Sequence, residues 1–136
     1  MDTSFARIWL RFEGLATLVA AALLYHHFGL RWFWFGVLFL APDLSMLGYL
    51  AGPRLGALAY NLAHSYAAAL VVLAAGLVAG LDGAPRLALL GVGLIWCAHI
   101  GFDRALGYGL KSPEGFRLTH LGKIGRNQPP QTPARL

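Results

Sequence analysis

The chain has 136 residues, of which 57% are hydrophobic and 12% charged, with a formal net charge of +5 and a mean hydropathy of +0.58. Soluble domains carry roughly 25% charged residues, so a water-soluble fold of this size is excluded. Lipid has to be the solvent, and the length allows about four spans and no separate soluble domain.

Arg7 precedes an apolar run containing Ala20-Ala21-Ala22, the outline of a secretory signal. The run is expected to be retained as the first span, from Ile8 to Tyr25, with Arg11 and Glu13 near its start. A short turn, His26 to Arg31, leads to the aromatic cluster Trp32-Phe33-Trp34-Phe35, which suits a membrane interface. Span two continues from there to Leu50. Pro42 interrupts it, because proline has no N–H to give the carbonyl of Leu38, and this device often kinks a helix at a site. Gly52-Pro53-Arg54 is a tight connection. Span three is expected from Leu55 to Leu77, with Asn61 and His64 in its first half. Asp82 to Arg86 closes it, and span four runs from Leu87 to Tyr108. Cys97 is the one cysteine, which excludes an intrachain disulfide. It does not share the face of His99, so a small core residue is its expected role.

Lysine and arginine set the orientation. Nine of them, from Arg7 and Arg11 through Arg54 to Arg104 and the C-terminal segment, fall on one side, and Arg31 and Arg86 on the other. Both termini are therefore expected in the cytoplasm. Helical rise then converts position into depth. Asp43, His64, His99, Asp103 and Glu13 come to lie roughly 8–13 Å below the cytoplasmic surface, at about 1.5 Å per residue. His99 and Asp103, four apart, share a face of span four.

Ionisable groups in a membrane are costly and read as functional. Two imidazoles with two carboxylates suit zinc, iron or manganese, so Asp43, His64, His99 and Asp103 are the candidate ligands of a divalent metal. Asn61, nearly one turn before His64, is placed to orient a ligand or substrate. Glu13 is a candidate general base beside a metal-bound water, or else a salt-bridge partner of Arg104 or Arg11. The competing reading is structural: the same side chains hydrogen-bond between helices, at about 0.6–2 kcal/mol each.

After span four, Phe116, Leu118 and Leu121 are expected to rest on the membrane surface. Arg104, Lys111, His120 and Lys123 would form a basic rim above the site, Arg104 and Lys111 binding an anionic group and His120 moving protons. For Lys123 and Arg126, a solvated basic tail on anionic lipid is the competing reading.

Pro42-Asp43-Leu44-Ser45-Met46-Leu47-Gly48-Tyr49, Tyr60-Asn61-Leu62-Ala63-His64, His99-Ile100-Gly101-Phe102-Asp103-Arg104, Gly107-Tyr108-Gly109-Leu110-Lys111 and Thr119-His120-Leu121-Gly122 resemble the blocks of an uncharacterised bacterial family of small four-span membrane proteins, a domain of unknown function. The resemblance covers Ile8 to Gly122. It implies the span count and marks those polar residues. A looser likeness, to inner-membrane metal-dependent hydrolases with Pro-Asp on one span and His and Asp on others, implies metal-assisted hydrolysis near the membrane surface. The longer His-rich block of those enzymes is absent.

The expectation is an all-α integral membrane four-helix bundle in a bacterial inner membrane. A single domain covers residues 1–126, with a membrane-surface segment from 109 to 126 and a disordered tail from 127 to 136. Its expected activity is metal-dependent hydrolysis of a lipid-like or amphipathic substrate, with membrane lipid and an anionic small molecule as partners and no nucleic acid. The alternatives are a proton-coupled transporter using Glu13 and a haem-binding module using His64 and His99. A homo-oligomer is an option through Gly76 and Gly80, which four-residue spacing makes a close-packing face. Packing within one chain explains that pair equally well.

Overall fold

A computed structural model of the chain describes residues 3–120 and 122–123. The tail expected from 127 to 136 lies outside the described residues, as do Leu121, Arg126 and the side chains of Leu118 and Lys123.

Long apolar runs of leucine and alanine in lipid have one economical solution, because every backbone N–H and C=O must pair within the chain. The described residues accordingly contain four helical stretches long and apolar enough to cross a membrane: Phe5–His27, Trp32–Ala51, Pro53–Val78 and Gly83–Leu106. The first is one helix, α1 (Thr3–His27), and the last is one helix, α5 (Gly83–Leu106). The two between them are broken.

Span two divides into α2 (Trp32–Leu38) and a 3₁₀ helix (Ala41–Ala51). The break falls where Pro42 withholds its N–H, and Asp43 N instead donates to Leu40 O at 3.1 Å. Span three, expected to be continuous, divides into α3 (Pro53–Ala63) and α4 (Tyr66–Val78). His64 terminates α3, and Ser65 opens α4 by accepting from Ala67 N through its hydroxyl.

The helix α5 is the central element, with 56% of its apolar stretch buried against 17% or less in the other three spans. It packs most extensively on α1 and α4, while α3 packs on the 3₁₀ helix. The approach of α1 requires glycine on both sides. A Cβ on Gly101 would lie 2.6 Å from Gly14 O, and one on Gly14 would lie 2.5 Å from Arg104 Cβ. Gly76 meets Leu89 and Leu90 of α5 within the chain, whereas Gly80 is a turn residue at φ 65°.

The fourth span ends two residues before the expected Tyr108. Gly107 takes the left-handed conformation at φ 95°, and Gly107 N and Tyr108 N donate to Arg104 O and Asp103 O. The chain then folds back as a small antiparallel sheet. Its strands are β1 (Lys111–Ser112), β2 (Gly115–Thr119) and β3 (Gly122–Lys123), in that order. Strands β1 and β2 rest on α3, so the segment expected on the membrane surface adds a sheet to the helical bundle.

Gly101→Ala should destabilise the bundle by about 1–3 kcal/mol through overpacking. Gly91→Ala, whose Cβ would meet Leu30 and Tyr25 no closer than 3.7 Å, should be close to neutral. Thermal unfolding of the two variants in one detergent checks the difference.

Candidate metal centre

Two spans break at the same level, and α5 passes unbroken between the breaks. Asp43 stands in the first turn of the 3₁₀ helix, His64 at the end of α3, and His99 and Asp103 one turn apart on α5. One ligand atom from each of these four lies within 4.8 Å of the other three. The His64 and His99 Nε2 atoms are 3.1 Å apart. Asp43 Oδ1 is 3.3 Å from His64 Nε2 and 3.6 Å from His99 Nε2. Asp103 Oδ2 is 3.5 and 3.8 Å from the same two atoms. Both imidazoles are buried, and Asp43 is the more open carboxylate, with 31% of its side chain accessible against 13% for Asp103.

The tautomer of His64 decides what this group can do. His64 Nδ1 lies 3.0 Å from Tyr60 O, and a carbonyl only accepts, so Nδ1 carries the hydrogen. The lone pair of Nε2 therefore faces the second imidazole and both carboxylates. His99 Nε2 and the two carboxylates converge on that lone pair. The arrangement can hold a metal ion, and a backbone carbonyl fixing the far nitrogen of a histidine is the usual support of such a ligand. The Tyr60 ring stacks on His64 at 3.8 Å between centroids, and Phe39 packs edge-on against His99. His99 Nδ1 is buried without a partner among the described residues.

Irregular backbone at membrane depth is tolerated only where protein satisfies it, and three side chains of α5 and α3 do so here. Arg104 Nη2 donates to His64 O at 3.0 Å, and its Nη1 donates to Tyr108 O at 2.7 Å. Trp96 Nε1 donates to Ala63 O. Asn61 accepts from Lys111 N at 2.6 Å and donates to Lys111 O at 2.8 Å, which ties β1 to α3.

These bonds give several of the expected site residues partners within the protein. Arg104 and Asn61, expected to bind substrate, hydrogen-bond to backbone atoms of His64, Tyr108 and Lys111. Glu13, expected to reach the site as base, is exposed on α1 and lies outside the cluster. Its neighbour Gly14 is the residue of this turn that packs against α5. The two expected ion-pair partners of Glu13 are also engaged with carbonyls, Arg104 as described and Arg11 through Nε on Ala105 O at 2.8 Å. His120, expected to move protons, is an exposed residue paired with the loop before β1. Its Nδ1 accepts from Leu110 N at 2.8 Å. Lost solvation and the nearby Arg104 charge hold its pKa below the ordinary histidine value.

Lys111 is buried, with Nζ 3.6 Å from the centre of the Phe116 ring and 4.9 Å from that of Tyr60. Burial lowers its pKa, and the Asp103 charge partly offsets this. The parts that sequence reasoning missed are Tyr60, Trp96 and Ser65, which shape the break. Only Ser65, a capping residue before an apolar run, left a signal.

Arg104→Met should leave two carbonyls unpaired and cost about 1–3 kcal/mol for each buried group, read as a lowered unfolding temperature. Because His120 takes a proton less readily folded than unfolded, the contact to Leu110 is fully present above about pH 6.5, the unfolded value. It is lost as the pH falls through the lowered folded one. Hydrogen exchange at the Leu110 amide, corrected for intrinsic rate, should accelerate over that window and stay fast at every pH in His120→Ala.

No curated protein and no solved structure matches the chain. Residues 7–124 match the family described as Domain of unknown function (DUF4260), and the chain belongs to that family.

Proposed function

We propose that the protein is a membrane-embedded, metal-dependent hydrolase acting on an amphipathic, lipid-like substrate. The observation that carries this reading is the convergence of the Asp43 and Asp103 carboxylates on two imidazole nitrogens, one of them held as a bare lone pair by Tyr60 O. Asp43, His64, His99 and Asp103 hold a divalent ion, for which zinc, iron and manganese all accept this donor set. Such an ion, when bound, lowers the pKa of a coordinated water and polarises a carbonyl or phosphoryl oxygen.

The chain's own residues supply the rest. Asp43 is the most accessible member, so substrate approaches past it, and its carboxylate is the group placed to exchange a proton there. Lys111 supplies positive charge beside Tyr60 and Asp103, suited to an anionic head group. An adjoining cavity of about 330 Å³, lined by Pro42, Ala63, Ile95 and Trp96 among others, gives an apolar part of the substrate a place beside the ligands. The excess of lysine and arginine on one side supports cytoplasmic termini and access from the cytoplasmic leaflet of a bacterial inner membrane.

The transporter reading rests on Glu13, which is exposed on α1 and lies outside the cluster. The haem reading needs room for a macrocycle between His64 and His99, and their Nε2 atoms are 3.1 Å apart.

Elemental analysis of protein purified without chelator should find a stoichiometric divalent ion, and His99→Ala should lose it. Asp43→Asn should lower lipid hydrolysis in liposomes by about 10²–10⁴-fold. Metal-free protein that cannot be loaded, with a His99→Ala variant indistinguishable from wild type, would overturn the proposal.

A further inference from the structure

The cavity beside the cluster continues away from it. A second cavity, of about 470 Å³, lies along the same side of α5 and reaches Leu87 and Ala84 near the opposite end of the helix. The two share Leu38, Val92 and Ile95 in their walls, so they adjoin end to end along α5, the first against the 3₁₀ helix and Ala63 and the second against α2, and line up as a groove. It is open because α2 stops at Leu38 and the chain leaves the helix line at the Pro42 break. From the level of Leu87 to that of His99 is roughly 18 Å at about 1.5 Å per residue. That is the reach of a linear chain of palmitoyl length.

Its two ends differ. At one end, Pro42 and Ala63 precede Asp43 and His64 in the chain, and Ile95 lies one turn before His99. Ser45 also lines this end, and its hydroxyl is buried without a partner. With no water available in hydrocarbon, such a hydroxyl has to be satisfied by a ligand or left at a cost. The remainder of the groove is lined by aliphatic and aromatic side chains and glycine, with the Tyr25 hydroxyl engaged on Arg31 O, and Arg31 stands at the far end.

We infer that this groove is an acyl-chain subsite. It holds the linear chain of a fatty acyl ester, with the ester group at Ser45 and the His64–His99 cluster and the methyl end toward Leu87. The inference deepens the hydrolase reading and rests on it for the identity of the occupant. Bulk lipid also wets an outward groove, so the distinguishing property is polarity: the chain lies in one direction and in competition with other long-chain esters.

Photolabelling of the full chain in nanodiscs tests this with two probes, methyl palmitate carrying a diazirine beside the ester and methyl palmitate carrying one at the methyl end. The first should label the peptide containing Pro42 to Ser45, and the second the peptides containing Trp34 and Leu87. Excess unlabelled methyl palmitate should suppress both, and methyl butyrate should suppress neither. Val92→Trp, which fills the shared middle of the groove, should lose the competable labelling, while Val71→Trp on α4 should keep it. Retained metal content would show Val92→Trp to be folded, and a retained unfolding temperature would show the same were wild type metal-free. Labelling spread over outward faces without competition, or with the two probes reversed, overturns the inference. Metal content, read on the same samples, judges the hydrolase reading separately.

Discussion

A carbonyl at the end of a helix has water to turn to in a soluble protein and none in a bilayer. The third span nevertheless ends one helix at His64 and starts another at Tyr66. That backbone is possible because α5 brings Arg104 to His64 O and Trp96 to Ala63 O. Once the break is held, His64 sits at a helix terminus, with its ring stacked on Tyr60 and Nε2 directed across to α5. The interruption at Pro42 does the same for Asp43. The cluster thus depends on two irregular stretches of backbone, and the one at His64 depends on hydrogen bonds from a straight helix.

The same dependence separates the residues that meet in the centre from those that hold it. Arg104 adjoins Asp103 in the chain and has opposite work. Asp103 turns its carboxylate to the imidazoles, while Arg104 turns a guanidinium to the carbonyls of His64 and Tyr108. Asn61 and Lys111 repeat the pattern where β1 meets α3. The amide of Asn61 clasps the backbone of Lys111, and the Lys111 ammonium is left between two aromatic faces, close enough to Asp103 to feel its charge.

Much of this was legible from residues alone, for reasons that can be named. Span positions follow from the lengths of apolar runs, and a common depth for Asp43, His64, His99 and Asp103 follows from helical rise and antiparallel order. Pro42 announced its own break. The break at His64 was hidden, because Tyr60 to Ala68 reads as an ordinary apolar helix and the donors that satisfy it come from another span. Membership was hidden too: depth arithmetic groups Glu13 with the other four and says nothing of which side chains meet, and Glu13 lies outside the cluster. Arg104, Asn61 and His120 were read as chemical groups in search of a ligand. Their partners are main-chain atoms, which every residue carries and no pattern of side chains reveals.

The central position of α5 bears on how the protein is made. Chain order delivers α1, the second span and the third span to the membrane before the helix that the break at His64 relies on. Until α5 inserts, Asp43 and His64 face each other across the second and third spans but lack His99, Asp103 and a guanidinium for His64 O. Assembly is then gated by the last span. A fault in α5, or in the glycines that let it pass α1, would leave the inserted chain with the break at His64 unsatisfied and half of the cluster missing.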